Sequence, residues 1–221
     1  MTSAVQVAFV ESGRPDGRLV ILAHPIGTSL STWEPQLPAL EPQFRVVRFD
    51  ARGHGSSPVP SGPYSMADLG ADLAALISSL GGGPASIVGQ SLGGMTALWM
   101  AENAPELVDR VVCCCITART ASVDAWRERA ARVRAAGTAS IHELVLDRWG
   151  YAKRRPDLAR WILDQLDATP DEGYAGACEA IAGMDLEPGL GSIKAPVLVI
   201  AGDGDPAAPP AAAAAIAAAI P

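Results

Sequence analysis

Histidine and aromatic residues are scarce in this chain of 221 residues. It contains only three histidines, His24, His54 and His142, and Phe, Trp and Tyr together make up 5% of the sequence. Its four cysteines, listed below, include three in succession and form no Cys-x-x-Cys pair, which argues against a disulfide framework and against a paired metal-binding motif. We therefore expect reduced cysteines that act as small apolar residues, and a cytoplasmic location. The cysteines are Cys113, Cys114, Cys115 and Cys178.

The sequence also lacks an excess of basic charge and any long apolar run. The formal net charge is −7, whereas nucleic acids and anionic membranes bind basic surfaces. No apolar run approaches the roughly 20 residues that span a bilayer, and the first residues lack the basic start of a signal peptide. We therefore expect no nucleic-acid or membrane partner, while the oligomeric state stays open. The length suits one domain with a small insertion.

Apolar runs typical of strands alternate with segments of helical periodicity. The residues predicted as strands are 5–10, 19–23, 44–49, 85–88, 111–116 and 196–201. Helices are predicted for 66–80, 92–103 and 207–219. This alternation indicates an α/β fold with a mostly parallel sheet and helices on both faces. Residues 120–190 show helical, charged segments and no clear strand, which predicts a helical insertion.

The stretch IVGQSLGGM, residues 87–95, contains a Gly-x-Ser-x-Gly motif between a predicted strand and a predicted helix. In that context the serine lies on a tight, strained bend that exposes its hydroxyl, and the glycines allow the backbones to pass closely. Ser91 is thus the predicted nucleophile. Leu92 begins the following helix, so its N–H is one candidate donor. In the loop after the 19–23 strand Pro25 has no N–H, and the N–H of Ile26 is therefore the second candidate. We predict these two amides as an oxyanion hole.

Several further motifs follow in a familiar order. They are HPIG, STWEPQLPAL, RVVRFDARGHGSS, GQSLGG and VLVIAGDGDPAAPP, together with DAWRERAARVRAAG, DRWG and TPDEGYAGACEAIAGMDL in the insertion. With them the chain resembles the α/β-hydrolase superfamily and, within it, the 3-oxoadipate enol-lactonases. The resemblance implies a hydrolase core over residues 1–119, a helical cap over 120–190 and a returning core segment over 191–221. It implies hydrolysis of a small lactone through an acyl-enzyme in the degradation of aromatic compounds, without metal or cofactor.

The resemblance also selects a catalytic acid. The family pattern G-x-x-D-P-x-x-P-P matches residues 202–210 and points to Asp205, with Asp203 as a neighbouring alternative and Asp50, before RGHG, as a weaker one. For the substrate carboxylate, the pair Arg148 and Trp149 matches the family best. Most of the eight cap arginines are expected to form a solvated face. They are Arg127, Arg129, Arg132, Arg134, Arg148, Arg154, Arg155 and Arg160.

The general base is missing from the expected place, since the superfamily order is Ser, acid, His and no histidine follows Asp205. Three hypotheses compete. The favoured one is that the sequence is a fragment that lacks the last strand and helix. In the second, His54 or the cap residue His142 substitutes; in the third, the protein is a non-catalytic ligand-binding homologue. A broader carboxylesterase is a further alternative. We expect low or no turnover by the chain itself.

Overall fold

A computed structural model describes residues 4–81, 83–149 and 155–221, except for the side chains of Arg148 and Trp149. Within these residues, none of the helices has both the length and the apolar character needed to cross a bilayer. The cysteines found there are all free thiols.

Six strands form one sheet in the order β1-β3-β2-β4-β5-β6. Only β1 runs antiparallel, to β3, and the other neighbours pair in parallel. The strands are β1 Phe9–Gly13, β2 Arg18–Ala23, β3 Phe44–Phe49, β4 Ala85–Gln90, β5 Val108–Cys114 and β6 Val197–Ile200. The parallel strands other than β6 carry apolar runs because both of their faces are covered. Their carboxyl ends therefore lie along one edge, and the site is assembled there.

The helices divide between the faces of the sheet and the segment from β5 to β6. They are α1 Leu37–Leu40, α2 Met66–Ser79, α3 Leu92–Asn103, α4 Val123–Ala136, α5 His142–Trp149, α6 Pro156–Ala168, α7 Asp171–Ala182 and α8 Pro210–Ala219. Helix α2 begins with a capping box in which Ser65 and Asp68 satisfy each other's backbone N–H groups. Helix α8 begins at Pro210, as expected for a proline at the first helical position.

The predicted first strand is displaced along the sequence. Residues 5–8 lie before β1, where the N–H of Val5 donates to the Asp72 carboxylate at 2.7 Å and that of Ala8 to the Ser57 hydroxyl at 2.8 Å. Pairing with β3 begins only at Phe9 and continues through Glu11 to Gly13. Because an edge strand can carry exposed polar residues, the apolar pattern of this segment did not locate the strand correctly.

In the described part of the predicted insertion lie the helices α4 to α7, and the bridge between Arg119 and Asp185 brings its two ends together. The insertion contacts the core at named points. The hydroxyl of Ser29 donates to Gln165 at 2.6 Å, and Glu172 accepts the N–H of Gly62 at 2.7 Å. We refer to α4–α7 as the cap; its limits at residues 120 and 190 stay a prediction.

Candidate active site

Ser91 occupies a bend between β4 and α3. Its backbone angles are φ 50° and ψ −118°, in a region that L-residues rarely adopt, while Leu92 already begins the helix. Hydrogen bonds hold the bend from both sides. The N–H of Ser91 donates to Cys114 at 2.8 Å, and its carbonyl accepts the N–H of Met95 at 2.9 Å. The strain is therefore maintained by the sheet and the helix together.

Two glycines make this bend possible through close backbone packing. A Cβ on Gly89 would overlap the backbone of Gly93, and a Cβ on Gly93 would overlap the carbonyl of Ala23 on the neighbouring strand. Neither obstacle is a flexible side chain, so neither can move aside easily. The spacing of glycines in the motif thus follows from contact between β2, β4 and α3.

The two predicted oxyanion donors lie beside this bend. Leu92 is the first residue of α3, where an N–H has no acceptor inside the helix. Ile26 lies in the loop after β2 and lines the same cavity as Ser91, and among the described residues its N–H donates to no acceptor. The next residue differs, because the N–H of Gly27 donates to the His54 ring at 3.1 Å.

The three candidate carboxylates for the catalytic acid differ in their burial and in their hydrogen bonds. Asp205 and Asp203 both line the cavity, but Asp205 is half-buried whereas Asp203 is exposed. One oxygen of Asp205 accepts the N–H groups of Ala207 at 2.8 Å and Ala208 at 3.0 Å, which orients the carboxylate. Asp50 is buried elsewhere and accepts N–H groups from Leu30 and Ser56. The geometry therefore gives Asp50 a structural role and favours Asp205 over Asp203.

Cys115 is a site residue that the sequence did not reveal. It was expected to be buried on a strand, but it follows β5 at φ 54° and lines the cavity with Ser91. Its N–H donates to Ile200 at 2.8 Å, and it lines the same cavity as Asp205. Partial burial and the negative charge of Asp205 raise the pKa of the Cys115 thiol. A pattern of three cysteines carries no sign that the third leaves the strand.

The three histidines have other partners and do not line this cavity. His24 Nε2 accepts the N–H of Ala51 at 2.9 Å, and its Nδ1 lies 2.8 Å from the Pro25 carbonyl. Burial lowers the pKa of His24 to about 4 and, with the nearby His24 ring, that of His54 to about 3, so both are neutral at pH 7. His142 contacts Asp167 on the cap at 2.6 Å. The hypothesis that His54 or His142 serves as the base finds no support in these contacts.

The cavity measures about 670 Å³ and lies between the core and the cap. Its core side consists of the loops that carry Ile26, Ser91, Cys115 and Asp205. All four cap helices contribute to its other side, with residues that are mostly apolar or aromatic. The residues from the cap include Trp126, Arg129, Val145, Ile162, Leu166 and Tyr174.

The predicted carboxylate-binding pair cannot be placed, because the side chains of Arg148 and Trp149 lie outside the described residues. Arg129 is an exception to the expected, mostly solvated arginine face, since only 8% of it is exposed and it lines the cavity. It occupies the inner face of α4 together with Trp126. Helical periodicity could have suggested this, because positions 126, 129, 130 and 133 are the buried ones.

A family model described as the alpha/beta hydrolase fold matches residues 18–221. The chain belongs to the alpha/beta hydrolase family. Two curated relatives, 3-oxoadipate enol-lactonases 2 and 1 of Acinetobacter baylyi, are 36% and 34% identical to this hydrolase. Their alignments cover 91% and 93% of this chain and 77% and 76% of the relatives.

Solved structures agree with this assignment. The enol-lactonase from Burkholderia xenovorans superimposes with a TM-score of 0.93 at 38% identity, over 97% of this chain and 84% of that one. A thermophilic esterase from Thermogutta terrifontis gives a TM-score of 0.91 at 30% identity, over 98% and 82%. The resemblance inferred from the motifs, and the α/β fold class, are thereby confirmed.

Proposed function

We propose that this hydrolase opens an enol-lactone of the 3-oxoadipate type, with Ser91 as the nucleophile. One observation carries the proposal. Ser91 is held at φ 50° on a strand-to-helix bend beside a cavity, in a chain whose relatives are named 3-oxoadipate enol-lactonases. The bend is the arrangement that exposes a serine hydroxyl in α/β-hydrolases.

The chemistry proceeds in two steps. The Ser91 hydroxyl attacks the lactone carbonyl and transfers its proton to a base, while the N–H groups of Ile26 and Leu92 stabilise the oxyanion. The ring C–O bond then breaks, and the leaving enolate takes up the proton from the base and becomes a ketone. Water hydrolyses the acyl-serine in the second step and releases 3-oxoadipate. Asp205 is the proposed acid that would orient a base at this edge of the sheet.

The base determines how fast this chemistry can run. The three histidines of these 221 residues are engaged at other positions, as described above. Loss of the histidine from a serine triad costs on the order of 10⁶-fold in turnover. We therefore expect the chain alone to be slow in both steps, and to form the acyl-enzyme faster when a diffusible base is supplied.

Chemical rescue with imidazole tests the proposal. The chain and Ser91→Ala are incubated with 3-oxoadipate enol-lactone over a range of imidazole concentrations, and lactone loss and intact protein mass are followed. We expect imidazole to accelerate lactone loss by the chain beyond the rate with Ser91→Ala. A mass increase equal to one lactone should map to Ser91.

Three controls make the result decisive. Free imidazole without protein gives the background rate, and Asp205→Asn should reduce the rescued rate less than Ser91→Ala does. p-Nitrophenyl acetate tests a general esterase. Equal rates with the chain and Ser91→Ala at every imidazole concentration would refute the serine mechanism, and a preference for p-nitrophenyl acetate over the lactone would refute the substrate class.

A further inference from the structure

Arg129 is a buried cation that faces the cavity. It is 8% exposed, and its guanidinium lies 4.3 Å from the centre of the Trp126 ring. Its Nε is buried and has no hydrogen-bond partner, and in the described part of the chain the guanidinium makes no ion pair. Arginine stays charged at all accessible pH values, so this position carries a positive charge for which the described residues provide no ion pair.

Arg52 shows how the same fold treats a buried arginine that has a structural role. It donates to both oxygens of Asp72, at 2.5 and 2.6 Å, and lies 3.8 Å from Asp68. A buried charge without such partners is costly, unless a ligand or water supplies them. The contrast indicates that the partner of Arg129 comes from the cavity.

We propose that Arg129 binds the free carboxylate of the substrate and so makes the site selective for acid-bearing lactones and esters. The proposal rests on the function proposed above, because it concerns the second functional group of the same ligand. A guanidinium can donate two parallel hydrogen bonds to a carboxylate. The Trp126 ring holds the guanidinium in place through its face without competing for those donors.

The other charges around the cavity determine the orientation of the ligand. Asp147, Asp203 and Asp205 also line the cavity, and each would repel a carboxylate brought close to it. Arg129 belongs to the cap and Ser91 to the core, so an acid held by Arg129 can present its ester group to the core. A neutral ester has no such anchor and should bind in several orientations.

Calorimetric binding of a product and its neutral analogue tests this role without requiring turnover. The probes are 3-oxoadipate and its dimethyl ester, and the variant is Arg129→Met, which keeps an apolar side chain over Trp126. We expect 3-oxoadipate to bind about 10- to 100-fold more weakly to the variant, as expected for a lost charge-assisted pair. Binding of the dimethyl ester should change less than about 2-fold, since the ester cannot form that pair.

Arg127→Met is the matched control. Arg127 lies on the same helix, is largely exposed and pairs loosely with Asp124, so the same loss of charge should leave both affinities unchanged. Arg129→Lys keeps the charge without the two-pronged geometry and should lose part of the acid affinity. This variant carries the comparison if Arg129→Met does not fold, as judged by circular dichroism.

The outcomes separate this proposal from the proposed function. Equal weakening of acid and ester, or no weakening of either, would show that Arg129 only supports the cap. Failure of the wild-type chain to bind any carboxylate would also overturn it. If pentanoate binds with the same dependence on Arg129 but 3-oxoadipate does not bind, the anion site stands and the enol-lactone assignment fails.

Discussion

The nucleophile and the proposed acid both line the core side of one cavity, but the elements that hold them differ in burial. Ser91 follows β4, which pairs with strands on both sides, and precedes a helix buried along most of its length. Asp205 follows β6, the last strand of the sheet, where Leu198 and Ile200 are 57% and 46% exposed. The first geometry is fixed by packed backbone, whereas the second depends on a few local hydrogen bonds.

Because of this difference, the Ser91 bend and the loop that carries Asp205 should respond differently to mutation. At the Ser91 bend the neighbours of the glycines are main-chain atoms, which cannot relax alone. Around Asp205 the loop has room, and its described hydrogen bonds are local: its carboxylate accepts two N–H groups, and its own N–H donates to Gly202. We therefore expect almost every substitution of the glycines at the bend to destabilise the protein, and most substitutions in the loop that carries Asp205 to have little effect on stability.

The largest difference is expected when one methyl group is added at the Ser91 bend and one is added in the loop that carries Asp205. Gly93→Ala should destabilise the protein by about 3 kcal/mol or prevent folding, because the new Cβ overlaps the Ala23 carbonyl. Gly204→Ala, in the acid loop, meets no atom within 4 Å and should change stability by less than about 0.5 kcal/mol. Urea denaturation of both variants checks the difference. Equal losses would show that the acid loop is as tightly packed as the bend.

For each titrating group, a smaller effect is expected from acid, and it should come from two histidines near the Ser91 bend. The pKa values of His24 and His54 are lowered to about 4 and about 3, so below their ordinary value of 6.5 the unfolded chain takes up more protons than the folded one. The stability from each neutral ring is complete above pH 6.5. It falls by up to about 1.4 kcal/mol per pH unit as the pH drops below that value.

Urea denaturation between pH 7 and pH 5 measures this dependence. The chain should lose about 2 kcal/mol for each histidine over that range. His54→Gln can still accept the N–H of Gly27 but cannot take up a proton, so its loss should be smaller by about one histidine's share. If the free energy of unfolding falls equally with pH in the chain and in His54→Gln, then His54 is not a source of the acid sensitivity.

The smallest effect is expected at the acid itself. Asp205→Ala removes the acceptor of two backbone N–H groups in a partly exposed loop, and should cost about 1 kcal/mol. Asp203→Ala, for which no such contact is described, should lie within about 0.5 kcal/mol of the parent. Thermal unfolding of the pair measures the difference. Equal stabilities of the two variants would show that the hydrogen bonds accepted by Asp205 do not stabilise the loop.

The sequence by itself determined the parts of this protein that depend on local pattern. Apolar runs predicted the five parallel strands, although the strand predicted at 111–116 begins at Val108, and glycine spacing predicted the bend at Ser91. The motifs were sufficient for the family, because tight turns and buried strands admit few residue types. The first strand was misplaced since edge strands carry a weaker pattern.

Only the tertiary structure decided which side chains meet across the cavity. It brought Cys115 to Asp205 from another strand and turned Arg129 inward beside Trp126, although the sequence suggested a buried thiol and a solvated arginine. It also showed that His24 and His54 bind backbone groups rather than Ser91. The physical reason is that a side chain's partners come from segments distant in sequence. Helical periodicity can place Arg129 on the inner face of its helix, but which groups it meets there depends on how the cap packs against the core.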